Sequence, residues 1–408
     1  MKILKLSSKE MQKLFERYYT NKRHIEEKVR RIIDDVRNEG DKAVLKYTKR
    51  FDKVKFTSKD LKVSVNETNG SFQNIDTAFI TSLKNIIENI QRYYKKELPK
   101  SWKIKYDDGA ELGEIFRPIE KVGIYIPAGT VPLVSSVYMS VVPAKMAGVK
   151  KIILTTPPNK YGNVDPHILA VANLLKVDEV YKVGGAQAIA ALAFGTKTIP
   201  KVDKIVGPGN EYVTEAKRQV FGFVDIDMLA GPSEVVILAN HFSDKSYVVQ
   251  DLMAQAEHVK GLAVLVTTSK KFAKAMKNED IKGYIVLTRN IDQAVEVINR
   301  IAPEHLEILV KRPNRIMKRI QNAGAIFTGP YSPVCIGDYV AGPSHILPTG
   351  GTARFFSGLG ARSFLKSIHT ISYSKKALEK EKVAIEKMTK IEGLQKHLES
   401  FKVRFKQP

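Results

Sequence analysis

Residues 301–310 read IAPEHLEILV, an apolar run with a carboxylic acid and an imidazole side by side in its middle. A strand buried on one or both faces does not ordinarily carry either group. Glu304 and His305, directly after Pro303, therefore point to a loop that delivers two proton-transfer groups to a site. The tripeptide alone also allows a plainer reading, a Glu and a His that cap a strand end. The balance is tipped by two other polar knots, whose residue types are those of metal ligands.

The first knot is DLMAQAEH, where Gln255 and His258 are three apart on an expected helix and so share a face. The second is PVCIGDYVAGPSHILPTGGTARF, which carries Asp338 and His345 in a Gly/Pro-rich loop unlike regular core. Near the end, EGLQKH offers Glu392 and His397. Imidazole, carboxylate and amide oxygen make a mixed N/O donor set that suits zinc or a neighbouring divalent ion, and the lack of thiolates argues against a structural Cys-type site. Taken singly, Gln255 and His258 could be a helix end and Asp338 a turn residue. Spacing does not assemble them.

Glycine-rich corners form a further group. In IVGPGNEYVTEAK a strand ends at Val206, Gly207 and Gly209 permit a tight turn, and a helix begins near Asn210, which turns backbone N–H groups and a helix dipole toward one point suited to an anion. GGAQAIAAL from Gly184 and YIPAGTVPL from Tyr125 are two more such loops. One glycine at a strand-to-helix turn is ordinary backbone geometry; three corners in one unit carry more weight. Neither GxGxxG nor GxxxxGK[ST] is present, so a nucleotide site here would be non-standard.

The elements that must position these groups follow from periodicity. Residues 25–48 place Val29, Ile32, Ile33 and Val36 at helix spacing, and residues 79–94 repeat the pattern with Leu83, Ile86, Ile87 and Ile90. From Val122 onward, short β-rich runs alternate with helix-length segments: 151–155, 179–183, 204–206 and 235–238, then 263–267, 284–287, 306–310 and 325–327. Such alternation implies parallel sheets covered on both faces, in two α/β units. Residues 373–408 are Lys/Glu-rich and helical in pattern, ending in KVRFKQP.

At 408 residues the chain is long enough for two or more domains. Its one cysteine, Cys335, excludes an intrachain disulfide and suits a reducing compartment. The charged N-terminus has no apolar core of a signal peptide, and no run reaches the 18 or so apolar residues of a spanning helix, so a cytoplasmic protein without membrane partners is expected. A formal charge of +23, from 66 Lys+Arg against 43 Asp+Glu, raises nucleic acid as a partner. The lysines are spread along nearly every segment, however, and are not gathered into an Arg-rich, aromatic-interleaved stripe; a solvated surface without nucleic acid is the expected reading.

PEH, QAEH, the GDY…GPSHILPTGGTARF loop, AGPSEV, GPGN, GGAQAIAA and YIPAGT occur together and in order. With this combination the chain resembles the histidinol dehydrogenase family from about residue 20 to the C-terminus. The resemblance implies oxidation of L-histidinol to L-histidine through an enzyme-held aldehyde with two NAD, the last step of histidine biosynthesis, with one zinc ion per subunit. It implies Gln255, His258, Asp338 and His397 as zinc ligands and Glu304 and His305 as the acid–base pair. NAD contacts fall on Tyr125, Gln187 and Asn210, and substrate contacts on Ser233, His345 or its neighbours, and Glu392, together with Gln255, His258, His305, Asp338 and His397. It also implies a homodimer in which the C-terminal segment reaches the partner's active site.

The expected fold class is thus α/β: two three-layer units with parallel-type sheets, incomplete Rossmann-like and aldehyde-dehydrogenase-like, with small helical segments at both ends. The expected domains are an N-terminal helical segment 1–21, a catalytic domain of 22–124 and 235–359, an NAD-binding domain 125–234 and a helical tail 360–408. Two alternatives stand beside this reading: a paralogous zinc/NAD dehydrogenase of another amino or sulfonated alcohol, and a nucleic-acid-binding protein. Cys335, three residues before Asp338, raises a thiohemiacetal route for aldehyde oxidation; its apolar flanks argue instead for a buried, inert thiol of raised pKa.

Overall fold

A computed structural model describes residues 1–17, 22–128, 131–258 and 260–405. By its internal contacts the chain falls into one large unit, 1–98 with 119–364, and one small unit, 99–118 with 365–408.

The large unit is built on two parallel sheets. In one, the strands Lys121–Tyr125, Lys151–Thr156, Glu179–Lys182, Lys204–Val206 and Asp225–Ile226 lie in an order that puts Lys121–Tyr125 in the middle. The chain leaves that central strand toward one edge through Lys151–Thr156 and Glu179–Lys182, then returns to its other side with Lys204–Val206. Such a reversal opens a crevice beyond the carboxyl ends of the two strands where the order switches, here at Tyr125 and Val206. The helices Gly185–Phe194 and Glu211–Val220 pack on this sheet together with Arg23–Glu39, whose Ile25, Val29, Ile32, Ile33 and Val36 are all buried. Gly40, at φ +57°, ends that helix and starts the next, Asp41–Phe51.

The second sheet contains Lys2–Leu4, Tyr284–Leu287, Leu262–Thr267, Glu234–Leu238, His305–Ile308 and Ala325–Thr328, in that spatial order and parallel throughout. Its strands read Val/Ile/Leu-rich because both faces are covered, by separate apolar clusters on either side. Two features differ from expectation. The N-terminal segment is not purely helical: Lys2–Leu4 pairs with Tyr284–Val286 as the edge strand before the helix Lys9–Phe15 begins. The run at 235–238, grouped by sequence position with the first set of strands, is a central strand of the second sheet.

The small unit is a three-stranded antiparallel sheet of Trp102–Lys105, Glu111–Pro118 and Leu365–Ser372, followed by the helices Lys375–Lys380, Lys382–Ile391 and Gln395–Lys402. Residues from 360 on are therefore not wholly helical. The strand Leu365–Ser372 has its apolar residues Leu365, Ile368 and Ile371 three apart, without the alternation of a strand, and its partner lies far back in the chain. No described helix is long and apolar enough to cross a membrane.

Candidate active site

His305 does not sit on a loop. It opens the strand His305–Ile308, pairing with Val235 on one side and Ala325 on the other, while Ala302 takes the left-handed conformation (φ +48°) that ends the preceding helix and turns the chain through Pro303 and Glu304. Both proton-transfer groups are buried, at about 5% exposure or less. His305 Nδ1 lies 3.0 Å from the Glu234 carbonyl. A carbonyl only accepts, so the Nδ1 proton is donated to it, and in the neutral ring the lone pair is on Nε2. That Nε2 is buried without a hydrogen-bond partner and lies 3.6 Å from Asp338 Oδ1. The Glu234 N–H donates to Glu304 Oε2 at 2.8 Å.

The electrostatics follow from this burial. Desolvation pushes Glu304 up to about 8 against the opposing pull of His305 and the Glu234 N–H. For His305, burial disfavours the imidazolium, but Glu304, Asp338 and the Glu234 carbonyl outweigh it and raise the ring to about 9. Glu307, on the same strand face two residues on, is pushed up to about 8 by burial and by the carboxylate of Asp251 facing it, while its Oε1 accepts from Val334 N–H at 3.1 Å. This pair of carboxyls, Glu307 buried and Asp251 half-buried, was passed over in the sequence; the signal was a second acid inside the same apolar run.

His305, Asp338 and His345 line one cavity of about 270 Å3 with Phe327 and Ser344. Asp338 lies in a short helix, Val334–Tyr339, rather than the irregular loop expected, with Cys335 on that same helix. His345 is in the loop beyond. Its Nδ1 donates to the Asp338 carbonyl at 2.8 Å and its Nε2 faces Ser136 Oγ at 3.2 Å, while burial lowers its pKa below the ordinary imidazole value. Cys335 is exposed, contrary to the buried thiol expected; burial of part of its side chain and the carboxylates of Asp251, Asp338 and Glu307 raise its pKa. Partial burial comes first in keeping the thiol protonated, and the nearby carboxylates add to it.

The glycine corners fall at the switch point of the first sheet. Gly207 has φ +118°, and a Cβ there would stand 2.1 Å from the Tyr125 carbonyl oxygen, so only glycine lets the turn cross the central strand. The turn is anchored from below by the buried pair Lys217–Asp227: Lys217 Nζ donates to the Gly207 carbonyl at 3.0 Å, and Asp227 Oδ2 accepts from Gly207 N–H at 2.8 Å. Tyr125 is buried with its hydroxyl accepting from Gly185 N–H at 3.1 Å, and the buried Gln187 leaves Oε1 without a partner beside the same glycine. Asn210 caps the helix Glu211–Val220, its Oδ1 accepting from Tyr212 and Val213 N–H at 3.0 and 3.1 Å. It thereby satisfies two of the N–H groups that were expected to await an anion. Gly129 and Thr130 of the YIPAGT loop lie outside the described residues.

A cleft of about 810 Å3 joins the two sheets. It runs from Asn210, past the carboxyl ends of the first sheet, to Glu234 and Leu262 at the amino ends of the second, with Lys22 and Lys260 on its walls. Ser233, half-buried, precedes Glu234 there, its carbonyl accepting from Leu262 N–H at 3.0 Å.

Of the metal-type residues, Gln255 ends the helix Lys245–Ala256, buried and with Nε2 unpartnered, while His258 is exposed just beyond. Glu392 and His397 belong to the small unit and are exposed. Among the described residues no three His, Cys, Asp or Glu side chains converge as a metal site. The donor types nevertheless fit a borderline divalent ion: an amide able to ligate through its oxygen, imidazoles, and a carboxylate that lines a cavity.

A family model described as histidinol dehydrogenase matches residues 15–405. A histidinol dehydrogenase of Listeria monocytogenes is 45% identical over 95% of this chain and 94% of its own length, and one of Clostridium acetobutylicum is 46% identical over 98% and 96%. The crystal structure of histidinol dehydrogenase from Elizabethkingia anophelis superposes with a TM-score of 0.92 at 35% identity, covering 99% of this chain and 97% of that one.

Proposed function

Because the chain belongs to the histidinol dehydrogenase family, whose members are NAD-dependent oxidoreductases acting on a CH–OH carbon, we propose that it oxidises L-histidinol through the bound aldehyde to L-histidine with two NAD. The observation that carries the reading is His305: its Nδ1 proton is committed to the Glu234 carbonyl, leaving Nε2 unpartnered at the wall of a cavity. That is the arrangement a general base needs, with tautomer set and accepting atom free.

His305 Nε2 takes the hydroxyl proton of the carbinol; NAD, when bound, would supply the hydride acceptor for each oxidation. Glu304 then draws a proton from the water that adds to the aldehyde, and His305 serves again as base when the hydrate loses its second hydride. Tyr125, Gln187 and Asn210, grouped around the switch point of the first sheet, would hold NAD, with Asn210 also on the wall of the 810 Å3 cleft. Gln255, His258 and Asp338, with His397, would hold zinc, which when bound supplies an anchor for the imidazole and amine nitrogens of the substrate. We assign His397 and Glu392 to the site of the partner in a homodimer, and Ser233 and His345 to substrate contact.

Retention of EGLQKH, suited to an amino group and zinc, favours histidinol over other amino or sulfonated alcohols. The test is NADH formed per histidinol consumed, before and after chelation and again after zinc is restored. Two NADH per histidinol, lost on chelation and regained with zinc, is the expected result. One NADH with free aldehyde, or full activity without metal, overturns the scheme.

A further inference from the structure

Glu304 and His305 rest on one residue. The main chain of Glu234 gives its N–H to Glu304 Oε2 at 2.8 Å and its carbonyl to His305 Nδ1 at 3.0 Å. The side chain of Glu234 is in turn held from outside the sheet: Arg17 Nε donates to Oε1 at 2.9 Å, Arg17 Nη2 to Oε2 at 2.7 Å, and Gly350 N–H to Oε1 at 3.0 Å. Arg17 Nη2 also donates to the Ile301 carbonyl at 3.2 Å, at the end of the helix that leads into Glu304. One guanidinium therefore grips both the first residue of the strand Glu234–Leu238 and the helix end that delivers the neighbouring strand.

We propose that Arg17 and Glu234 are positioning residues for the acid–base pair, locking the amino ends of the two strands so that His305 Nε2 and the Glu304 carboxyl face the reacting carbon. The inference rests on Glu304 and His305 being that pair. A fork of two parallel bonds fixes direction as well as distance, which a lysine or a single bond does not. A buried ion pair adds little net stability over an apolar pair of the same shape, so a purely adhesive role for it would be poorly served by charge. A misplacement of about 1 Å, by contrast, lowers rates on the order of a hundredfold.

The test is a double-mutant cycle. Removing Arg17 alone strands the buried Glu234 carboxylate, so Arg17→Met is combined with Glu234→Gln, and melting temperature is followed beside turnover. The folded double variant is expected to lose about a hundredfold in kcat, whereas in a His305→Asn background the same two changes should alter the remaining rate by less than about twofold. An equal loss in both backgrounds means the pair only holds the segment in place, and wild-type kcat in the folded double variant overturns the proposal outright. Arg17→Lys keeps the buried charge paired but loses the fork. It is expected to cost about tenfold in kcat, and an unchanged kcat in it overturns the proposal even if the double variant does not fold. If His305→Asn itself retains full activity, the acid–base assignment is what has failed.

Discussion

At the level of single residues, the division of labour turns on which nitrogen of His305 is spoken for. With Nδ1 donated to the Glu234 carbonyl, only Nε2 can accept a proton, and it does so only when the ring is neutral. His305→Asn should therefore lower turnover by about two to four orders of magnitude while leaving NAD affinity near that of the unaltered enzyme; steady-state kinetics and NAD titration check both. The raised pKa sets the sign of the pH dependence. Below about 9 the ring is held protonated by Glu304 and Asp338 and cannot act as base, so kcat/KM should climb with pH toward that value and level off above it. A pH profile already flat at 7 would contradict it. Glu304→Gln should slow aldehyde oxidation more than alcohol oxidation, read as transient histidinal. Cys335→Ser should retain both oxidations at two NADH per histidinol, because partial burial of the thiol and the nearby carboxylates keep it protonated.

At the level of elements, the glycine turn after Lys204–Val206 depends on a charge pair beneath it. The side chains of Lys217 and Asp227 are 3% and 2% exposed and bond to the carbonyl and N–H of Gly207. Lys217→Met leaves the Asp227 carboxylate uncompensated and should cost about 3–5 kcal/mol of stability; adding Asp227→Asn should recover much of it, yet leave KM for NAD raised because the turn loses its tether. Denaturant unfolding and NAD kinetics on the two variants separate these effects. The same elements show what the chain makes legible. Strands such as Leu262–Thr267 and Tyr284–Leu287 stand out because both faces are buried and glycine or charge bounds them. The acid–base pair stands out because Glu and His interrupt an apolar run. What was hidden depends on distance: Lys2–Leu4 is a strand only because Tyr284–Val286 waits for it, and Leu365–Ser372 pairs with Glu111–Pro118 from the far end of the chain. Arg17 reaches Glu234 across 217 positions, and what it positions are backbone atoms, which leave no trace in residue type.

For the whole molecule, the two parallel sheets meet with opposite ends: the 810 Å3 cleft reaches from Asn210, beyond the carboxyl end of a strand of the first, to Glu234 and Leu262 at the amino ends of strands of the second, while His305, at the amino end of its own strand, lines a cavity of about 270 Å3. In the proposed scheme the first sheet holds the cofactor and the second the acid–base pair, so neither sheet supplies both. The donor set is divided as well, since Gln255, His258 and Asp338 lie in the large unit and Glu392 and His397 in the small one. If the small unit serves a partner subunit, a protein inactive through His397→Asn and another inactive through His305→Asn should complement each other. In the mixed dimer one site combines a large unit with intact His305 and a small unit with intact His397, while the other site carries both lesions. Random exchange makes half of the dimers mixed, each with one of two sites intact, so recovery should approach about a quarter of wild-type activity by dimer statistics. Subunit exchange is verified by mass-tagged protomers before the assay. Full exchange with no recovered activity would place His397 within its own subunit or outside the site, and the zinc content of each parent protein would tell which: loss of metal in His397→Asn alone means a ligand in its own chain, and unchanged metal means no ligand at all.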